Sequence, residues 1–214
     1  MDIRKRRYAL VIDSRKCINC KACVVACKAE NGVPIGNFRN WINEDRQGEY
    51  PKLRIDFEPE QCHHCAQPSC VRVCPTGASW QRKDGIVLVY TDDCIGCRYC
   101  MVACPYDNRV FNWRAPVQEP PADVAVVGET PARPKGVVEK CTFCVQRTAE
   151  GLLPRCVVVC PTGARVFGDL DDPDSEVSVL LRERPSYVVF PERGTEPSVH
   201  YLIRTGPNET GGEL

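Results

Sequence analysis

The 214-residue sequence has no apolar run approaching the roughly 18 residues that a membrane-spanning helix needs. Ile86-Val87-Leu88-Val89 and Cys156-Val157-Val158-Val159-Cys160 are far too short, so direct membrane insertion is not expected. A nucleotide-binding glycine loop of either main type is also missing, as is a nucleophile with a base beside it, which places substrate chemistry on another chain. Charge of one sign is lacking too: 28 Lys and Arg balance 28 Asp and Glu, and no nucleic-acid partner is expected. Near the N-terminus Arg4-Lys5-Arg6-Arg7 precedes Tyr8-Ala9-Leu10-Val11-Ile12, but Asp13 interrupts the apolar stretch at once. With no small-residue cleavage site either, this segment reads as a basic edge leading into a strand, and the chain is not expected to export itself. Eighteen prolines and 15 glycines break a moderate apolar content, so long helices are not expected, and the length suits one or two domains.

What the chain has in excess is cysteine. Its 16 cysteines fall into four groups of four: Cys17, Cys20, Cys23, Cys27; Cys62, Cys65, Cys70, Cys74; Cys94, Cys97, Cys100, Cys104; and Cys141, Cys144, Cys156, Cys160. The first and third groups read C-x-x-C-x-x-C-x-x-x-C, the run that binds [4Fe–4S] clusters in bacterial-type ferredoxins. Two-residue gaps let one short loop offer three thiolates to three corners of a cube, and a fourth cysteine, usually followed by proline, completes the neighbouring cluster. Cys74-Pro75, Cys104-Pro105 and Cys160-Pro161 follow that rule, whereas Cys27 precedes Lys28. The second and fourth groups widen one gap, which the same cube tolerates if the insertion loops outward.

Other uses of these cysteines fit less well. Disulfides belong to small secreted scaffolds, while this chain is long enough for an ordinary core. Zinc sites typically use two separated pairs, and three cysteines spaced three apart, twice over, are a cluster pattern. Free buried thiols would not show such regular spacing. Four oxidised clusters would bring the holoprotein to about −8, at roughly −2 each. Arg15, Lys16, Lys21, Lys28, Arg72, Arg98, Lys140, Arg147 and Arg155 flank the ligands and could offset that charge and raise the cluster potentials. Metal–thiolate bonds are expected to hold what a thin core cannot, so the apo chain should be largely unfolded.

Short β-branched runs precede cysteine groups, at Tyr8 to Ile12 and Ile86 to Tyr90, and residues 23 to 30 form a helix-compatible stretch stopped by Asn31-Gly32. Strand, cluster loop and short helix make a repeating unit, and Cys74-Pro75-Thr76-Gly77-Ala78 recurs as Cys160-Pro161-Thr162-Gly163-Ala164. The expected fold is α+β, with two dicluster ferredoxin-like domains. Residues 115 to 136 hold five prolines and no apolar side chain larger than valine, marking a surface linker. His63 and His64 sit between two ligands, but sixteen cysteines already saturate four cubes; a supporting hydrogen bond is the better role for His64. Trp41, Trp80 and Trp113 are expected to pack rather than bridge redox centres. Asp169, Asp171, Asp172 and Asp174 lack the glycine and terminal glutamate of a calcium loop and read as a turn.

Taken in order, the four cysteine groups, Gln61-Cys62-His63-His64-Cys65, Cys104-Pro105-Tyr106-Asp107, Lys140-Cys141-Thr142-Phe143-Cys144 and Phe167-Gly168-Asp169-Leu170-Asp171-Asp172-Pro173 resemble one family. It is the four-cluster iron–sulfur subunit of membrane-bound molybdopterin oxidoreductases, which includes polysulfide, dimethyl sulfoxide and tetrathionate reductases. Coverage runs from about Tyr8 to about Leu202, and Asn40-Trp41-Ile42 and Gly48-Glu49-Tyr50-Pro51 resemble the polysulfide branch. The resemblance implies that Cys160 completes the Cys17, Cys20, Cys23 triad and Cys27 completes Cys141, Cys144, Cys156. It likewise implies Cys104 with Cys62, Cys65, Cys70, and Cys74 with Cys94, Cys97, Cys100. Nitrate reductase relatives carry tryptophan at the place of Cys97 and a [3Fe–4S] centre there; Cys97 implies four complete [4Fe–4S] clusters.

The implied domains are 1–58 with 135–175 as an outer dicluster unit, 59–114 inserted within it, 115–134 as linker and 176–214 as a C-terminal extension. The resemblance also implies a non-catalytic electron relay between a molybdopterin catalytic subunit, facing the Cys17 cluster, and a multi-span quinol or quinone subunit, facing the Cys94 cluster. Membrane attachment would come only through those partners, on the extracytoplasmic face by co-export, with the cytoplasmic face as alternative. A polyferredoxin, an iron–sulfur subunit of a hydrogenase or formate dehydrogenase, and a zinc-stapled interaction module are the alternative functions.

Overall fold

The computed structural model describes residues 6–114 and 134–203. Nearly all of the expected linker, the first five residues and the end of the C-terminal extension lie outside the described residues. The elements run β1 (Tyr8–Ile12), α1 (Ala22–Asn31), β2 (Asn40–Gln47), β3 (Arg54–Gln61), α2 (Ser69–Arg72), β4 (Ser79–Gln81), β5 (Val87–Val89), α3 (Tyr99–Val102), β6 (Val110–Phe111), β7 (Val138–Glu139), α4 (Val145–Ala149), α5 (Arg155–Val158), β8 (Arg165–Asp169), α6 (Glu176–Glu183), β9 (Ser186–Tyr187) and β10 (Val199–Leu202). The helices are short, and among the described residues none is long and apolar enough to cross a membrane.

The largest sheet has the order β8-β1-β10-β9. β1 pairs parallel with β10, Leu10 opposite Val199, and antiparallel with β8, Leu10 opposite Phe167. A strand covered on both faces needs apolar side chains on both, and the unbroken run Ala9-Leu10-Val11-Ile12 meets that need. Leu10 and Ile12 join Ile86, Phe143, Phe167, Val199 and Tyr201 on one face. Val11 joins Val177 and Leu202 on the other, with Leu180 and Leu181 of α6 packed alongside. Each large side chain fully buried there contributes about 1.5–3 kcal/mol. Gly168 in β8 permits the close approach of α6, because a Cβ there would overlap the Ser175 hydroxyl and crowd Val177.

Three two-stranded pairings complete the fold: β2 with β3, β4 with β5, and β6 with β7. The β2–β3 hairpin is exposed for most of β2, and it contains both segments that resemble the polysulfide branch. The expected stop at Asn31-Gly32 is where α1 ends: Gly32 takes φ 57° and its N–H bonds the Lys28 carbonyl, a left-handed cap that glycine adopts without steric cost. The expected strand Ile86 to Tyr90 is trimmed to Val87–Val89, while Ile86 leaves the hairpin to enter the main core.

Candidate metal-cluster sites

Each cysteine group begins with Cys-x-x-Cys, and the second intervening residue has positive φ in all four: Asn19 at 55°, His64 at 43°, Gly96 at 70° and Phe143 at 51°. In the two C-x-x-C-x-x-C groups the residue after the second cysteine does so as well, Lys21 at 58° and Arg98 at 62°. These turns curl the loop so that successive sulfurs face one interior point. For a non-glycine residue that conformation costs about 1–2 kcal/mol, a strain that metal–thiolate bonds can offset. Gly96 has a further reason to be glycine, since a Cβ would overlap the Gly136 carbonyl oxygen.

The loops bring distant cysteines together. One recess is lined by Cys17, Cys20, Cys23 and Cys160. A second is lined by Cys27, Cys141, Cys144 and Cys156. A third is lined by Cys74, Cys94, Cys97 and Cys100. Ser69, beside Cys70, donates to the Ala103 carbonyl at 2.7 Å, which brings Cys104 to the loop of Cys62, Cys65 and Cys70. Thus every triad meets a cysteine from another group. Asn31 shows how α1 supplies Cys27, since its Nδ2 lies 3.6 Å from the Cys27 sulfur and 3.8 Å from that of Cys144. Glu30, one residue earlier and 2% exposed, reaches Arg147 at 3.5 Å and Arg155 at 3.9 Å, tying α1 to α4 and α5.

The donor chemistry fits iron–sulfur clusters. All sixteen cysteines are free of disulfides. Burial pushes the thiols of Cys65 and Cys156 up to about 12 and those of Cys104 and Cys141 to about 11, with neighbouring cysteines adding to the shift. Held as thiolates, such groups need a bound cation, which also deprotonates them. Among the described residues no three Cys, His, Asp or Glu side chains converge as ligands of a single ion. The cysteines instead line recesses four at a time, as ligands to the corners of a multi-atom cluster do. Cys74 and Cys160 depart from the trend: the upward push of burial is outweighed by hydrogen bonds, chiefly from the Ser79 amide at 3.4 Å and the Ala164 amide at 3.2 Å, and both thiols are lowered. Both copies of Cys-Pro-Thr-Gly-Ala thus have their cysteine sulfur solvated by a backbone amide, five residues on from Cys74 and four from Cys160.

Several of the flanking cations have protein partners of their own. Arg15 pairs with Asp13 at 3.1 Å, Lys28 donates to the Pro34 and Asn37 carbonyls, and Arg98 lies over the Phe111 and Trp113 rings. Lys140 is buried, donating to the Val87 and Cys141 carbonyls. The deeply buried Arg109 and Arg165 escaped the sequence reading. Arg109 donates to the Cys70 sulfur at 3.0 Å, and Arg165 lines the Cys17 recess and bonds Gln61. A shared spacing could have revealed them, since each stands five residues after the cysteine of a Cys-Pro pair.

His64 accepts a hydrogen bond from the Val87 amide at 3.0 Å, supporting the loop rather than a sulfur, and its ring stacks on Phe143 at 3.8 Å. His63 pairs with buried Glu60 at 2.7 Å. Trp80 stacks on Tyr90, Trp41 bonds Asn43, and Trp113 is exposed beside Arg98. Asp169 and Asp172 accept backbone amides, as turn residues do.

Sixteen free cysteines gathered into quartets on strained loops define a dicluster ferredoxin-like protein. Two matches to the 4Fe-4S dicluster domain agree, one over residues 53–119 and 130–170, the other over residues 16–78. The chain is 47% identical to a putative dimethyl sulfoxide reductase iron-sulfur subunit of Halobacterium salinarum, over 91% of this chain and 78% of that protein. It is 42% identical to a sulfite dehydrogenase subunit of Allochromatium vinosum, over 92% of this chain and 83% of that one. Against a tetrathionate reductase subunit of Salmonella typhimurium the identity is 41%, over 92% and 73%. The chain belongs to the family of iron–sulfur subunits of molybdopterin oxidoreductases. Its cofactors are [4Fe–4S] clusters, with cysteines enough for four.

Proposed function

We propose that this chain is a non-catalytic relay that passes single electrons along four [4Fe–4S] sites between a molybdopterin catalytic subunit and a membrane quinol or quinone subunit. The observation that carries this reading is the order of the quartets. Arg165 lines the Cys17 recess and bonds Gln61 of the Cys27 recess, the His64 ring of the Cys62 loop stacks on Phe143 of the Cys141 loop at 3.8 Å, and Arg109 joins Cys70 to Ser79 of the Cys74 recess. The sites therefore follow one another as a line: Cys17, Cys20, Cys23 with Cys160; Cys141, Cys144, Cys156 with Cys27; Cys62, Cys65, Cys70 with Cys104; and Cys94, Cys97, Cys100 with Cys74. The two exposed cysteines, Cys20 and Cys97, belong to the two ends of that line. When bound, each cluster supplies a one-electron couple.

The chain's own residues do the rest: loops fix the sites in order, buried side chains exclude water from the middle, and the ends reach the surface. Ile18 stands 60% exposed at one end and Ile95, Tyr99 and Val102 at 64–88% at the other, apolar surface suited to partner subunits. On this reading the Cys17 end faces the catalytic subunit and the Cys94 end the membrane subunit. Residues 59–114 form a dicluster unit inserted in the one built from 1–58 and 135–175. Membrane attachment comes only through the partners, on the extracytoplasmic face.

Anaerobic holoprotein should contain about sixteen iron and sixteen acid-labile sulfide per chain. Cys27→Ala should remove the signal of the Cys141 site and spare that of the Cys17 site. Loss of the Cys17 signal instead would refute the crossed ligation, and an iron content near twelve would remove one site.

A further inference from the structure

Arg109 and Arg165 occupy equivalent places in the two halves of the line. They occur in Cys104-Pro105-Tyr106-Asp107-Asn108-Arg109 and Cys160-Pro161-Thr162-Gly163-Ala164-Arg165, and each is only 2% exposed. Arg109 donates through Nη1 to Ser79 Oγ at 2.8 Å and through Nη2 to Cys70 Sγ at 3.0 Å. Ser79 lines the recess of Cys74, Cys94, Cys97 and Cys100, so Arg109 stands between the Cys62 and Cys94 sites. Arg165 lines the recess of Cys17, Cys20, Cys23 and Cys160, and its Nη1 donates to Oε1 of Gln61, a residue that lines the recess of Cys27, Cys141, Cys144 and Cys156. Each also keeps a buried donor with no protein partner among the described residues, Nε of Arg109 and Nη2 of Arg165. Neither carboxylate nor phosphate is needed to explain them, because the negative charge they face belongs to the cysteine quartets.

We propose that Arg109 and Arg165 are potential-setting residues, each holding one permanent positive charge between two neighbouring cluster sites and raising the reduction potentials of that pair together. The inference rests on the cluster assignment proposed above. Reduction adds an electron to a site, and a fixed cation beside it favours the added negative charge, more strongly where water is excluded. An arginine cannot shed that charge by deprotonation, which makes it a constant of the fold. Sharing one cation between two sites moves both in the same direction and leaves the step between them nearly unchanged.

The test is a potentiometric titration followed by electron paramagnetic resonance on the whole chain in its native complex, with signals assigned through single-cysteine variants. Arg109→Gln should lower the Cys62 and Cys94 sites, each by about tenfold in the one-electron equilibrium, or 59 mV, and leave the other two in place. Arg165→Gln should do the same to the Cys17 and Cys141 sites alone. Arg109→Lys and Arg165→Lys, which retain a charge, should stay near the native potentials. A shift confined to one site, spread evenly over all four, or reproduced by lysine would overturn the proposal. If a glutamine variant loses clusters while its lysine counterpart keeps them at native potentials, the charge is again what matters. Loss from both would assign the arginine a purely shape-holding role and refute the idea. A native protein without four clusters, or with cysteine variants pairing otherwise, would instead refute the site assignment, which iron analysis shows separately.

Discussion

The region around the first and fourth cysteine groups and the region around the second and third present the same quartets on different amounts of ordinary protein. The former holds the four-stranded sheet, with Leu10 and Ile12 packed on one side and Val11 under α6 on the other. The latter relies on the short β4–β5 hairpin and on β6, which pairs with β7 just ahead of the fourth group. Its interior is largely polar: Ser79, Asn108, Arg109 and Asn112 are all buried. Even its largest buried aliphatic side chain, Ile86, is lent to the other region's core. Metal–thiolate bonds must therefore carry a larger share of the order around the second and third groups.

Removing the metal tests that contrast most severely. Chelation should abolish amide protection around residues 62–104, while β1, β8 and β10 keep part of theirs, as hydrogen exchange of holo and apo protein would show. Equal loss in the sheet would break the comparison. Next in size is the junction of the regions. Arg39 and Glu139 pair at 2.9 Å with 1% and 2% exposure, and Asn112 also donates to Glu139 at 2.8 Å. Glu139→Ala strands a buried guanidinium and should cost about 3–5 kcal/mol in the denaturant unfolding of anaerobic holoprotein. Ile86→Val should cost about 0.5–1.5 kcal/mol, and the loss should loosen the sheet as well as the hairpin; an effect limited to residues 79–89 would show the two regions to be more separate.

The smallest expected effect concerns pH. His200 in β10 is held below its ordinary 6.5 by burial first, then by Arg7 and His63. The unfolded chain then binds the proton more readily, so this contribution to stability is intact above about pH 6.5 and falls as pH drops through the lowered value. His200→Gln should flatten that part of the acid limb in unfolding scans between pH 7 and 5. An unchanged profile would free the sheet from this titration.

Much of the chemistry was legible because it is local. Two-residue gaps fix how three sulfurs can converge, so the triads, the cluster type and the turn at Asn31-Gly32 could be read from neighbours in sequence. The run Tyr8 to Ile12 likewise announced a strand, although its burial on both faces depends on what packs against it. The long β2–β3 hairpin was not anticipated, since most of β2 is polar and its pairing is what orders it. The partners of the flanking cations were not legible for a related reason: Arg15 is drawn to Asp13 and Arg147 to Glu30, contacts that only packing reveals.

The sequence by itself determined which atoms could bind iron and sulfide, because ligand spacing within a loop is a short-range property. Which distant cysteine lines which recess, and that Cys20 and Cys97 are left exposed, was decided by tertiary structure. So was the placement of Arg109 against Cys70 and Ser79 and of Arg165 beside the Cys17 recess and Gln61. Charges act through space, and only the folded chain sets the distances over which they do so.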